Sequence, residues 1–110
     1  MHSFLKAQNA GDRFDLLSIK LQDYALEHPR IDKAIDISIT GTLQELAMAF
    51  SKETKLNLTI APEVNPKVVV NFADTRPRDM LLYFCRYYNL DLSFSGTILT
   101  LIPFEEPSAV

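Results

Sequence analysis

The chain has 110 residues, enough for one modest core and too few for two, and 47% hydrophobic with 23% charged residues is an ordinary globular balance. A net charge of -3 gives no basic excess, so nucleic acid is not an expected partner; one cysteine, Cys85, excludes an internal disulfide, and His2 and His28 supply no zinc-ligand spacing. No run approaches a membrane span and Met1-His2-Ser3-Phe4-Leu5-Lys6 lacks the apolar centre of a signal peptide, so the chain reads either as cytosolic or as an excised piece of a longer exported protein.

Residues 1-11 carry little periodicity and read as a flexible lead. From Asp12, taken as an N-cap, Phe14, Leu17, Leu21, Tyr24, Ala25 and His28 share one helical stripe, and Pro29 ends it. A second apolar line, Leu16, Ile19 and Leu26, runs along the opposite side; either a neighbour covers it or these are scattered surface aliphatics. Residues 12-34 thus form an N-terminal amphipathic helix and its connector. Ile35, Ile37 and Ile39 alternate with Asp36, Ser38 and Thr40, the pattern of a half-buried strand. Thr42 and Glu45 make a capping box ahead of a helix from Leu43, with Leu43, Leu46, Ala47, Phe50 and Thr54 on its inner stripe and Met48 outside.

Leu56, Leu58 and Ile60 alternate in a second strand stopped at Ala61-Pro62, and Lys67 to Phe72 is a β-branched third. Thr75 is expected to cap a second core helix with Pro77 in its first turn, an inner stripe of Pro77, Met80, Leu81, Phe84, Cys85 and Tyr88, and a left-handed stop at Asn89. Two strands, Leu90 to Phe94 and Thr97 to Ile102, flank Ser95-Gly96, and residues 103-110 read as a linker. The fold class is α+β: two helices packed on small mixed β-sheets in the order β-α-β-β-α-β-β, preceded by the amphipathic helix.

No catalytic constellation is visible. Asp36, Glu45, Glu53, Asp74, Asp79 and Asp91 fall on caps, turns and wet faces, and local spacing places no two of them as an acid/base couple. Cys85 sits on an inner stripe as a small hydrophobe, and the aromatic run around Tyr83 to Tyr88 lacks the basic groove of a base-stacking platform. Gly41 and Gly96 are isolated turn glycines, so no phosphate-cradling loop is present. Neither a cofactor, a metal nor a small-molecule substrate is expected.

Taken in order, several cues between Ile35 and Ile102 resemble the short N-terminal domain shared by bacterial secretins and certain TonB-dependent outer-membrane receptors. They are the Ile35 to Ile39 strand, Leu43-x-x-Leu46-Ala47, Leu56-Asn57-Leu58-Thr59-Ile60-Ala61-Pro62-Glu63-Val64, Lys67-Val68-x-Val70, Arg78-Asp79-Met80-Leu81, Tyr88-Asn89-Leu90, and Phe94-Ser95-Gly96-Thr97-Ile98-Leu99-Thr100-Leu101. Ala61 stands where the family usually has aspartate, and Asn89 where it has glycine. The leading helix resembles the layout of secretin-like proteins of the Bacteroidetes type. For a secretin the resemblance implies a periplasmic protein-interaction domain of an outer-membrane channel, docking an inner-membrane component of a secretion or pilus system and forming part of a ring in the full-length protein. For a receptor it implies a signalling domain contacting an anti-sigma regulator. The expected docking site is the strand Asp36, Ile37, Ser38, Ile39 and Thr40 if that strand is a sheet edge, assisted by Leu16, Ile19 and Leu26.

Overall fold

The structure, a computed structural model, describes residues 2-105. Its elements are α1 (His2–Glu27), a 3-10 turn (Pro29–Asp32), β1 (Ile35–Thr42), α2 (Leu43–Thr54), β2 (Asn57–Ile60), β3 (Lys67–Thr75), α3 (Pro77–Tyr87), β4 (Leu90–Ser95) and β5 (Ile98–Pro103). The expected α+β order of strands and helices is present. β1 and β3 pair antiparallel as a two-stranded sheet; β2, β5 and β4 form a second sheet with β5 in the middle, parallel to β2 and antiparallel to β4. Helix α2 packs on β1 and β2, and α3 on β3 and β4, so each helix ties the two sheets together.

Local chemistry sets the boundaries. Thr42 Oγ1 accepts from the Glu45 N–H at 3.2 Å and Glu45 Oε1 accepts from the Thr42 N–H at 3.3 Å, completing the capping box at the head of α2. A Cβ at Gly41 would stand 2.9 Å from the Glu45 carboxylate oxygens, which explains glycine at the strand-to-helix junction. At the other end of α2, Lys55 takes a left-handed φ of 61°. The buried Thr54 hydroxyl donates to the Phe50 carbonyl and accepts from the Leu56 N–H, so it leaves no unsatisfied polar atom. The β4-β5 hairpin closes at Ser95 opposite Ile98, so its two loop residues are Gly96 and Thr97, with Gly96 at φ +59°; the turn lies one residue beyond the expected Ser95-Gly96.

Three expectations are corrected. Helix α1 begins at His2, so the expected lead over residues 1-11 is helical from His2 onward, and Asp12 lies inside the helix instead of capping it. No proline interrupts residues 2-11, and once a helix is nucleated by the anchored turns from Phe14 onward it propagates backwards at little cost. Thr75 does not cap α3: the N-cap is Arg76, without a side-chain cap bond, while Thr75 remains in β3 opposite Ile35 and its hydroxyl donates to the Ala73 carbonyl. β3 runs three residues past Phe72 because a bulge carries it round a corner, with Asp74 at φ 50° and its N–H donated to Asp36 Oδ1 at 2.7 Å. Finally, Pro103 closes β5 and Phe104 packs on the domain, so the linker expected from residue 103 does not begin there; residues 106-110 lie outside the described residues.

The buried apolar side chains form one cluster, centred on Phe50 and Phe84 and including Leu17, Leu21 and Tyr24 of α1. α1 is therefore part of the core. Arg13 fixes one end of it, donating from Nη1 to the Leu90 carbonyl at 2.6 Å with its guanidinium 4.3 Å from the Phe14 ring centroid and 3.8 Å from that of Phe104. Tyr24 fixes the other, its hydroxyl donating to the Thr97 carbonyl at 3.1 Å and its ring 5.9 Å from Phe94. Between α1 and β1, the 3-10 turn is held to α3 by a two-pronged pair in which Arg78 Nε and Nη2 donate to Asp32.

Candidate interaction surface

A small two-sheet domain must expose strand edges, and the question is which are open to another chain. On β1 the ladder answers it. The Leu43 N–H donates to the Pro66 carbonyl at 3.0 Å, one pair beyond Thr42 opposite Lys67, so the odd residues Ile37, Ile39 and Gly41 bond across to β3. Ser38 and Thr40 consequently turn their N–H and C=O groups to the free edge. Among the described residues no side chain bonds to those backbone groups. The outward N–H of Thr42, at the end of the same edge, is closed by Glu45.

The edges of the three-stranded sheet are blunted. On β2, only four residues long, the Leu58 N–H donates to Ser51 Oγ at 3.1 Å and the Leu58 carbonyl accepts from the same hydroxyl at 3.3 Å. On β4 the Leu90 carbonyl is taken by Arg13 and the Leu92 N–H donates to Asp91 Oδ1 at 2.8 Å, while α1 lies alongside from Arg13 at Leu90 to Tyr24 at Phe94. The space left between α1 and β4 is an open groove bordered by Lys20, Asp23, Tyr24 and Phe94. β3 is the other edge of the same two-stranded sheet as β1: by the same parity Val69 and Asn71 turn their N–H and C=O groups outward, between Lys67 at the strand's start and the bulge beyond Phe72. The unblocked runs are Asp36 to Thr40 on β1 and Val69 to Asn71 on β3.

The β1 side chains sit as alternation requires. Ile37 is buried and Ile39 half-buried beneath the sheet, and Asp36, Ser38 and Thr40 are exposed on the outer face, where Ser38 Oγ donates to Asn71 Oδ1 at 2.6 Å. Leu16, Ile19 and Leu26 are also exposed, at 55%, 63% and 79%. α1 packs on the 3-10 turn, α3 and the β4-β5 hairpin, and β1 is not among its main partners. Arg13 and Ser51, which the sequence did not single out, and Asp91, expected only on a wet face or turn, all act to close edges. For Arg13 no local signal exists, since its carbonyl partner is 77 residues away.

Four of the six acids weighed above have structural partners: Asp36 holds the bulge, Glu45 the cap, Asp79 pairs with Arg76 and Asp91 bonds Leu92. Among the described residues no group of three His, Cys, Asp or Glu side chains is placed to hold a metal, and no helix is long and apolar enough to cross a membrane. Burial, with the nearby Asp91 charge adding, pushes the Cys85 thiol up to about 12. Its native thiolate population near pH 8 should fall about a thousandfold below that of a free cysteine. Ellman's reagent is therefore expected to react with Cys85 only as fast as the domain opens, and promptly in urea. Because the folded value is raised, the stability linked to it is complete below the unfolded thiol's range and is lost as pH climbs through the folded value, so melts should weaken in the alkaline limb above pH about 9. Burial raises the Tyr24 and Tyr88 phenols in the same direction.

Neither models of known protein families nor the sequences of curated proteins give a match to this chain.

Proposed function

We propose that this chain is a periplasmic protein-interaction domain of an outer-membrane secretin, docking an inner-membrane component of a secretion or pilus system by accepting an extended segment on the edge of β1. The observation that carries the interaction is the open pair of Ser38 and Thr40 on an edge strand, in a domain where side chains blunt both edges of the three-stranded sheet. The secretin assignment rests on the ordered cues from Ile35 to Ile102 and on the strand-helix-strand-strand-helix-strand-strand order that accompanies them. The domain contributes binding and no chemistry of its own, and it self-associates only within the full-length ring.

Ser38→Pro tests it. The Ser38 N–H faces outward, so proline there removes no bond to β3, whereas Ile39→Pro removes one and should unfold the sheet. Calorimetry with the periplasmic part of the inner-membrane component is expected to show Ser38→Pro folded and binding at least about tenfold more weakly, as loss of one or two main-chain bonds implies. Wild-type affinity in the folded Ser38→Pro domain would sink the edge-docking reading. Binding to an anti-sigma regulator with no binding to the secretion component would replace the secretin by a receptor signalling domain.

A further inference from the structure

The outer face of α1 is exposed and chemically specific. At 3.6 residues per turn Leu16, Ile19 and Leu26 fall within about 80° of one another around the helix axis and span about 15 Å along it. Asp23 lies inside that arc and Asp15 and Glu27 on its two borders; all three are exposed, and Lys20 is the cation beside them. The ion pairs among the described residues are all between Asp32, Arg76, Arg78 and Asp79, so none draws on these acids. With Arg13 and Tyr24 anchoring α1 to β4 and to the hairpin, the face is held in place before anything binds. A second copy would bring acid against acid, and anionic lipid headgroups would be repelled.

We propose that this face of α1 docks a basic amphipathic helix of another protein, its apolar stripe on Leu16, Ile19 and Leu26 and its Lys or Arg side chains on Asp15, Asp23 and Glu27. The pairing is helix on helix, with apolar contact supplying affinity and the charge border supplying selection against acidic helices. It does not depend on what pairs with β1.

The probe is a synthetic 18-residue helix with a leucine stripe bordered by lysines, titrated into the isotope-labelled domain, alongside a twin with glutamate at every lysine. Amide shifts are expected over residues 13-27 of α1 with the lysine peptide only, with binding weakened about tenfold on raising salt past the point where surface charges are screened. Leu16→Glu with Leu26→Glu should remove the shifts, and Asp23→Lys with Glu27→Lys should weaken the lysine peptide at least tenfold. Both pairs are exposed, so unchanged melting curves are expected, and either pair alone suffices to read the outcome. Ser38→Pro should leave this binding as it is, which separates it from failure of the β1 reading. Equal binding of the two peptides, shifts elsewhere or no shifts, or instead a dimer or attachment to anionic vesicles abolished by Ile19→Glu, would each overturn the proposal.

Discussion

Phe84→Ala and Phe50→Ala are each expected to destabilise the domain by about 3 to 5 kcal/mol in urea melts, the cost of truncating a fully buried aromatic. Both rings are completely buried, on the two helices that tie the sheets together. Phe84 also makes edge contacts with Phe72 at 5.8 Å and Tyr83 at 5.5 Å, and lies 6.2 Å from Tyr88, so its loss opens a cavity and unseats an aromatic cluster together. Met48, on the outer side of α2 at 74% exposure, is the internal control. Met48→Ala should cost less than about 0.5 kcal/mol. Comparable losses at Met48 and Phe50 would mean that the helix is rotated from the orientation described.

Leu21→Ala is expected to cost about 2 to 5 kcal/mol, because Leu21 is completely buried although it belongs to the leading helix. Leu26→Ala, on the same helix and mostly exposed, should stay within about 0.5 kcal/mol of wild type. The contrast decides whether α1 belongs to the domain or is an appendage. Were α1 an appendage, both variants would melt with wild type; were it merely a sticky amphipathic segment, they would lose similar small amounts.

What the sequence disclosed was local. The Ile35 to Ile39 alternation, the Thr42/Glu45 box, the α2 and α3 core stripes and the left-handed Asn89 each depend on neighbours within a few residues, and each stands where local chemistry put it. Pairing between strands was not legible. Nothing in Asn57 to Ile60 announces a parallel partner some forty residues on, or that β5 would occupy the centre of its sheet and leave β1 with one neighbour. The site shows the same division. Side-chain alternation marked Asp36, Ser38 and Thr40 as outward on β1, but whether their backbone groups were free depended on β3, and the closure of rival edges depended on Ser51, Asp91 and the distant Arg13. The spacing of Leu16, Ile19 and Leu26 revealed an unspent face; only tertiary packing could show that it stays exposed.

The central claim is that Ser38 and Thr40 offer an unpaired backbone edge to a partner strand, and residue-resolved amide exchange along β1 tests it most directly. In the free domain Ile37, Ile39 and Gly41 should exchange slowly and Ser38 and Thr40 fast, and addition of the inner-membrane component's periplasmic part should slow Ser38 and Thr40 by at least about tenfold. Even residues already as protected as odd ones in the free domain, or fast exchange at Ser38 and Thr40 persisting in a saturated complex, would contradict it.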